Sequence, residues 1–258
     1  MRLTLPLVIG IALLVSACSQ TKMVAAFAPD ADQRVAKAYI DELRQGKLDQ
    51  IESDIDPSLK SPTLHDQLVK MAALMPAGEP LSVKIVGAQQ VHGSGFDTVN
   101  LSYEYQFLGQ WVLINVATQK KSGAATIVGF HVNPIPDSLE NTNRFSLRGK
   151  SVLQYSVLGI AVVFAATTLF ALVICLRARI GKRKWLWVVF IVFGICQFTV
   201  NWTTGEYSFK PAAILLFSAG AAAVPFGPWM ISISFPLGAL VFLFRRKPKP
   251  TSSQIAGG

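Results

Sequence analysis

The chain has 258 residues, 51% of them apolar and only 15% charged, with a mean hydropathy of +0.41. That balance excludes an ordinary soluble domain, and the length excludes a large transporter. The formal charge of +9 is uneven: residues 1–150 hold 14 basic and 14 acidic side chains, whereas residues 151–258 hold 10 basic and one acidic. The cations of the second half interrupt hydrophobic runs instead of lining a soluble face, so membrane orientation explains them and nucleic-acid binding is not expected.

Residues 1–17 read as a secretory signal peptide: Arg2, then the apolar stretch Leu3 to Leu14, then the small residues Val15, Ser16 and Ala17 before Cys18. The apolar stretch makes about 18 Å of helix, short of a ~30 Å hydrocarbon core, and is not counted as a span. The tetrad VSAC resembles the bacterial lipobox. That resemblance implies that Cys18 becomes the first mature residue and carries acyl chains, with residues 18–27 as a lipidated tether. Cys175 and Cys196 fall in apolar runs, so neither a disulfide framework nor a metal cluster is expected from three such cysteines.

Residues 28–132 have the balanced composition of one globular domain. Asp32 is expected to cap a helix through QRVAKAYIDELRQ, with Val35, Tyr39 and Leu43 at helical spacing and Gly46 as its stop. A shorter amphipathic piece, LDQIESDI, follows, and Pro62 opens a third helix that carries Leu64, Leu68, Met71 and Met75 on one side before Pro76. From Leu81 the period becomes two. In DTVNLSYEYQF the residues Val99, Leu101, Tyr103, Tyr105 and Phe107 share one face, Leu108-Gly109 turns, and QWVLINVAT is apolar on both faces. Lys121-Ser122-Gly123 turns again into ATIVGFHV. Helices followed by a four-stranded antiparallel meander define an α+β extracytoplasmic domain.

That element order, with the WVLINV strand, resembles the NTF2-like family, in which a curved sheet wraps a helix to form a cone; the cystatin-like arrangement is the competing resemblance. The NTF2-like resemblance implies a cone able to house a ligand or to dimerise through its sheet, and it directs attention to His65, His92, His131, Asp97, Tyr103 and Tyr105. Packing accounts for most of these. Tyr103 and Tyr105 alternate on the apolar face and are expected in the core with hydroxyls partnered at the rim, His92 sits in the loop-like HGSGF, and His131 alternates away from Phe130 and Val132. A dyad of His131 and Asp97 would need two strands to bring them within ~3 Å. No nucleophile, metal or phosphate motif is recognisable, so neither a cofactor nor catalysis is expected.

Residues 133–150 form a juxtamembrane linker. Residues 151–176 run uncharged for about 39 Å of helix and read as the first span, closed by Arg177, Arg179, Lys182, Arg183 and Lys184, a cytoplasmic loop. Residues 185–204 read as a second span, edged by Trp185, Trp187 and Trp202. The 34 uncharged residues 211–244 are divided by Pro225, Gly227 and Pro228. Charge bias favours one crossing at 228–244 with 212–224 interfacial or re-entrant, and two crossings are the alternative. The expectation is an all-α bundle of about three spanning helices, with Gln197 as an interhelical hydrogen-bond partner, followed by a disordered cytoplasmic tail, 245–258. The resulting expectation is a bacterial inner-membrane protein with a periplasmic head and a cytoplasmic C-terminus. It would bind or assemble with a membrane or periplasmic protein or a lipid-like ligand, and could form homo-oligomers. An enzyme acting on a small or lipid-linked substrate, or a subunit of a transport complex, are the alternatives.

Overall fold

A computed structural model describes residues 20–121, 124–178 and 183–245. Cys18 and the signal and tail segments lie outside the described residues. The chain divides into two compact units, Met1–Thr142 with Pro225–Gly227, and Asn143–Val224 with Pro228–Gly258.

The first unit is α+β. It begins with α1 (Gln20–Ala25), inside the stretch read as a tether; Val24 is buried, and the Gln90 side-chain amide donates to Phe27 O at 2.9 Å. The long helix α2 (Asp30–Arg44) places Ala36, Tyr39, Ile40 and Leu43 on one buried stripe. It starts two residues earlier than Asp32, which lies inside the helix and not at its cap. The Asp32 carboxylate instead accepts from Lys120 Nζ at 2.6 Å, a contact between α2 and the sheet 88 residues away. Helices α3 (Leu48–Asp54) and α4 (Leu64–Ala73) each bury one anchor completely, Ile51 and Leu68. Burying such a side chain contributes about 1.5–3 kcal/mol.

The strands β1 (Ser82–Gly93), β2 (Phe96–Phe107), β3 (Gln110–Lys121) and β4 (Ala124–Ile135) pair in that order, all antiparallel. Gly109, at φ +75°, makes the turn between β2 and β3. The row Val99, Leu101, Tyr103, Tyr105 and Phe107 is buried, as its alternation requires. A register shift follows Ile85 in β1 and another separates Ala117 from Thr118 in β3's pairing with β4, local bulges that add twist. A short helix α5 (Leu139–Thr142) closes the unit, and its Leu139 N–H donates to the buried Glu104 carboxylate at 2.6 Å.

The second unit departs from the expected bundle of three spanning helices. Among the described residues one helix, α6 (Val152–Arg177), is long and apolar enough to cross a membrane. Ser151 and Gln154 form a capping box at its start. The stretch 185–204 is helical only as α7 (Lys184–Val192), then continues as strand β5 (Phe193–Asn201). The stretch 211–244 is likewise strands β6 (Tyr207–Leu216), β7 (Ala219–Ala222) and β8 (Met230–Phe235), and a short helix α8 (Leu237–Arg245). The sheet order is β6-β5-β8-β7, all antiparallel. Residues 212–224 are strand and turn. An uncharged run carries no marker that separates a helix from a doubly covered strand, and length alone favoured helices.

Two small cores sit along α6. Val157 and Ala161 pack with Val200, Trp202 and Ile231 of the sheet region, while Ala171 and Cys175 pack with Ile191 of α7 and with Ala239 and Phe242 of α8. A Cβ at Gly238 would lie 1.7 Å from the Phe190 carbonyl oxygen, so α7 and α8 touch backbone to backbone there. Replacing Gly238 with Ala is expected to destabilise the unit by roughly 1–3 kcal/mol through overpacking. Thermal unfolding of the detergent-solubilised full-length protein measures this, and an unchanged midpoint would contradict the close crossing.

Burial raises the phenols of the first unit. Tyr39 is pushed up to about 12 by burial and by its hydrogen bond to the Asp54 carboxylate at 3.1 Å, and Tyr103 to about 12 by burial. Burial raises Tyr105 further. The folded state therefore holds these protons more tightly than the unfolded chain does. Their contribution to stability is full below pH 10 and is lost as pH rises from there through about 12. In an alkaline titration of the full-length protein, tyrosinate absorbance from these residues should appear together with unfolding, and the Tyr39→Phe variant should shift that onset. Ordinary phenol titration without unfolding would contradict the buried placement.

Candidate functional site

Helix α3 buries Leu48 partly and Ile51 fully, which leaves Asp49 and Glu52, three residues apart, together on its flank. His65, second residue of α4, comes to the same place. One ligand atom from each of Asp49, Glu52 and His65 lies within 4.8 Å of the others, and His65 Nδ1 is 2.5 Å from Glu52 Oε1. The cluster sits in a shallow depression lined also by Ser53, Lys60 and Ser61. Helix α3 is held in place from beneath: Asp54 takes the Tyr39 hydroxyl, Ile55 bridges to Ile127 of β4, and the Asp56 N–H donates to Ile127 O at 2.9 Å. An imidazole with two carboxylates is the donor set of a hard or borderline divalent cation such as Zn²⁺ or Mn²⁺, with water completing the open positions. In the sequence the trace of this group is D-x-x-E on a short amphipathic helix with a histidine thirteen residues on, a spacing that matches no recognised ligand motif.

Close by, Glu42 is raised by burial and by the charge of Asp54, and its Oε2 is buried without a hydrogen-bond partner.

The sheet separates the residues singled out for acid–base chemistry. Asp97 stands on the row of Val99 and Lys120, whereas His131 stands opposite Asn115 on the other face. Asp97 is also five positions along β2 from Ser102, the residue in line with Asn115, about 17 Å at strand rise. Asp97 pairs instead with His92, Nδ1 to Oδ1 at 2.8 Å, and His92 belongs to the end of β1 and not to a loop. Around His131 the exposed face is amide and hydroxyl in character: Asn115 Nδ2 donates to Asn100 Oδ1 at 2.6 Å and to Ser102 Oγ at 2.9 Å. Tyr103 and Tyr105 are in the core, and the Tyr103 hydroxyl has no hydrogen-bond partner, contrary to the rim partner expected for it.

The second unit has two chemically different ends. At one, α6 ends in Arg177, α7 starts at Lys184 and α8 ends in Arg245; Trp187 meets Phe242 with ring centroids 5.5 Å apart, which sets Arg245 level with Lys184. At the other end, Phe145 stacks on Trp202 at 5.3 Å and meets Trp229 edge-on at 5.9 Å, and Tyr155 meets Trp202 edge-on at 6.4 Å. Gln154 Nε2 donates to Trp202 O at 2.7 Å. Gln197 is not interhelical: it lies on β5 and donates to the hydroxyls of Thr199 and Ser232, both at 3.1 Å.

Comparison with known protein families, curated proteins and solved structures gave no match.

Titration of Zn²⁺ into the full-length protein, followed by calorimetry, is expected to show a site that disappears in His65→Ala and in Asp49→Asn and persists in His92→Ala. Equal heats from all four proteins would show that the three donors do not act together.

Proposed function

We propose that the chain is a membrane-anchored binding or assembly module whose α+β unit works on the outer side of a bacterial inner membrane. The observation that carries this reading is the surface of α6. Most of this 26-residue apolar helix faces outward, with Val152, Val162, Val163 and Phe170 at least 60% exposed, a surface suited to lipid and costly in water. The separation of ends supports it. Arg177, Lys184 and Arg245 mark a cytoplasmic end, and Trp202, Trp229, Phe145 and Tyr155 an outer interface.

In this reading the chain still crosses three times. Helix α6 supplies about 39 Å, α7 and β5 together about 43 Å, and β8 with α8 about 33 Å, each enough for a ~30 Å core. The second and third crossings are half helix and half strand. The four-stranded meander with α2 against its inner face supports an NTF2-like or cystatin-like reading of the head, whose ligand would be a protein partner or a lipid-like molecule. The separation of His131 from Asp97 favours binding over acid–base catalysis. Acylation of Cys18 would add a second tether at the head's N-terminal side and so restrict its position.

Protease added to spheroplasts is expected to digest the head while leaving a membrane-retained fragment that contains α6 to α8. Labelled fatty acid is expected to enter the wild type and not Cys18→Ala. Protection of the head in intact spheroplasts would overturn the orientation, and release of the whole chain by alkaline carbonate would overturn the membrane reading itself.

A further inference from the structure

Residues 144–150, Arg-Phe-Ser-Leu-Arg-Gly-Lys, bring three cations and no anion to the aromatic end of the second unit. Under the orientation proposed above, this is the outer side, where the charge bias that suits Arg177, Lys184 and Arg245 should disfavour them. A local cause is required. Neutralisation by protein carboxylates is not that cause, because none of the ion pairs among the described residues involves Arg144, Arg148 or Lys150.

The segment is nevertheless ordered. Trp202 Nε1 donates to Ser146 O at 2.8 Å, the Tyr155 hydroxyl donates to Leu147 O, and the Arg148 N–H donates to Ser146 Oγ at 3.2 Å. The result is a hoop fixed to the aromatic cluster, with Arg144 and Arg148 exposed and Lys150 Nζ 5.8 Å from the centre of the Trp202 ring. Two apolar side chains are set between its first two cations. Phe145 and Leu147 remain 42% and 55% exposed between the two arginines.

We propose that this hoop is a docking surface for the anionic phosphodiester headgroups of the outer leaflet, with Arg144, Arg148 and Lys150 facing the phosphates while Phe145 and Leu147 enter the apolar layer beneath. Charge complementarity and the two exposed apolar side chains between the arginines together select this occupant. An acidic soluble partner or free phosphate would satisfy the cations and leave Phe145 and Leu147 in water, whereas a leaflet surface offers anions and hydrocarbon within a few ångströms. The inference rests on the membrane reading, and its test separates the two.

The full-length protein is reconstituted into vesicles of equal phosphatidylglycerol and phosphatidylcholine, purified, and its retained lipid quantified by mass spectrometry. Near an anionic surface a basic side chain contributes about a fivefold preference. The wild type should therefore retain phosphatidylglycerol in clear excess over the input, and Arg148→Gln and the double variant Arg144→Gln/Arg148→Gln should lower that excess stepwise by about fivefold each. An excess that survives in the double variant overturns the headgroup proposal, since it then comes from cations elsewhere, and leaves the membrane reading intact. Loss of the wild-type excess on adding inorganic phosphate at constant ionic strength assigns the hoop to free phosphate and also overturns it. Failure of the wild type to enter vesicles overturns both readings.

Discussion

Backbone hydrogen bonding is the constraint on which the second unit depends. Between Trp185 and Thr204 the chain has no charged side chain, so each N–H and C=O withheld from water must be closed within the protein. An unbroken helix is the simplest closure. The chain instead stops its helix at Val192, and the Val192 carbonyl accepts from Phe217 N at 2.8 Å. Beyond it, β5 is paired on both sides, by β6 and from Ile195 onward by β8, with a bulge at Cys196. The edge strands β6 and β7 are joined by only Phe217 and Ser218, so the two edges come together next to α7, the end farthest from Trp202.

The close packing that makes this possible is concentrated in a few residues. A Cβ on Gly194 would stand 2.0 Å from Ser234 Oγ and 2.8 Å from Ser218 Oγ, and Thr168 on α6 reaches Ser218 Oγ at 3.3 Å. Thr168, Ser218 and Ser234 are all essentially buried. Phe217 and Ser218 both adopt φ near +58°, a conformation that costs a non-glycine residue of the order of 1–3 kcal/mol. The strain persists because the connection is over-determined by bonds to Val192 O and from Ser234 N. Two cores, one helix–sheet and one helix–helix, then share a single helix α6 as their common wall.

What could be read in the sequence follows from these facts. The first unit was legible because from Val99 to Phe107 one face of β2 is buried throughout, while the other is buried only at Glu104. Tyr103 and Tyr105 alternate with Ser102, Glu104 and Gln106, and period two is unambiguous there. The cationic ends at Arg177, Lys184 and Arg245 were legible as well, since charges must punctuate apolar runs. The strands of the second unit were not, because FGICQFTVN is apolar on a helix or a strand alike and its bulge lies at Cys196, whose φ of 59° no glycine announces. The separation of His131 from Asp97 was in fact available from alternation: Asp97 shares the parity of Val99, and His131 opposes that of Phe130 and Val132. The grouping of Asp49, Glu52 and His65 was not available, because it depends on how two short helices meet over Ile51 and Leu68.

The polar groups of the two units serve different ends, and this bears on what the protein does. In the second unit Gln154 closes on Trp202, and Gln197, Thr199 and Ser232 close on one another. Such pairs fix the register of helix on sheet and of strand on strand, where a misplaced polar atom would be costly. In the first unit the ion pair of the buried Asp32 with the half-exposed Lys120 joins α2 to the sheet in the same way. The chemically open groups are on the outside: the cluster of Asp49, Glu52 and His65, the amide face around Asn115 and His131, and the cationic hoop before α6. Three interior groups stay open, since Glu42 Oε2, the Tyr103 hydroxyl and Ser234 Oγ are buried without a hydrogen-bond partner, but the charged clusters within reach of another molecule lie at the surface, where under the proposed reading a partner or a bilayer would meet them.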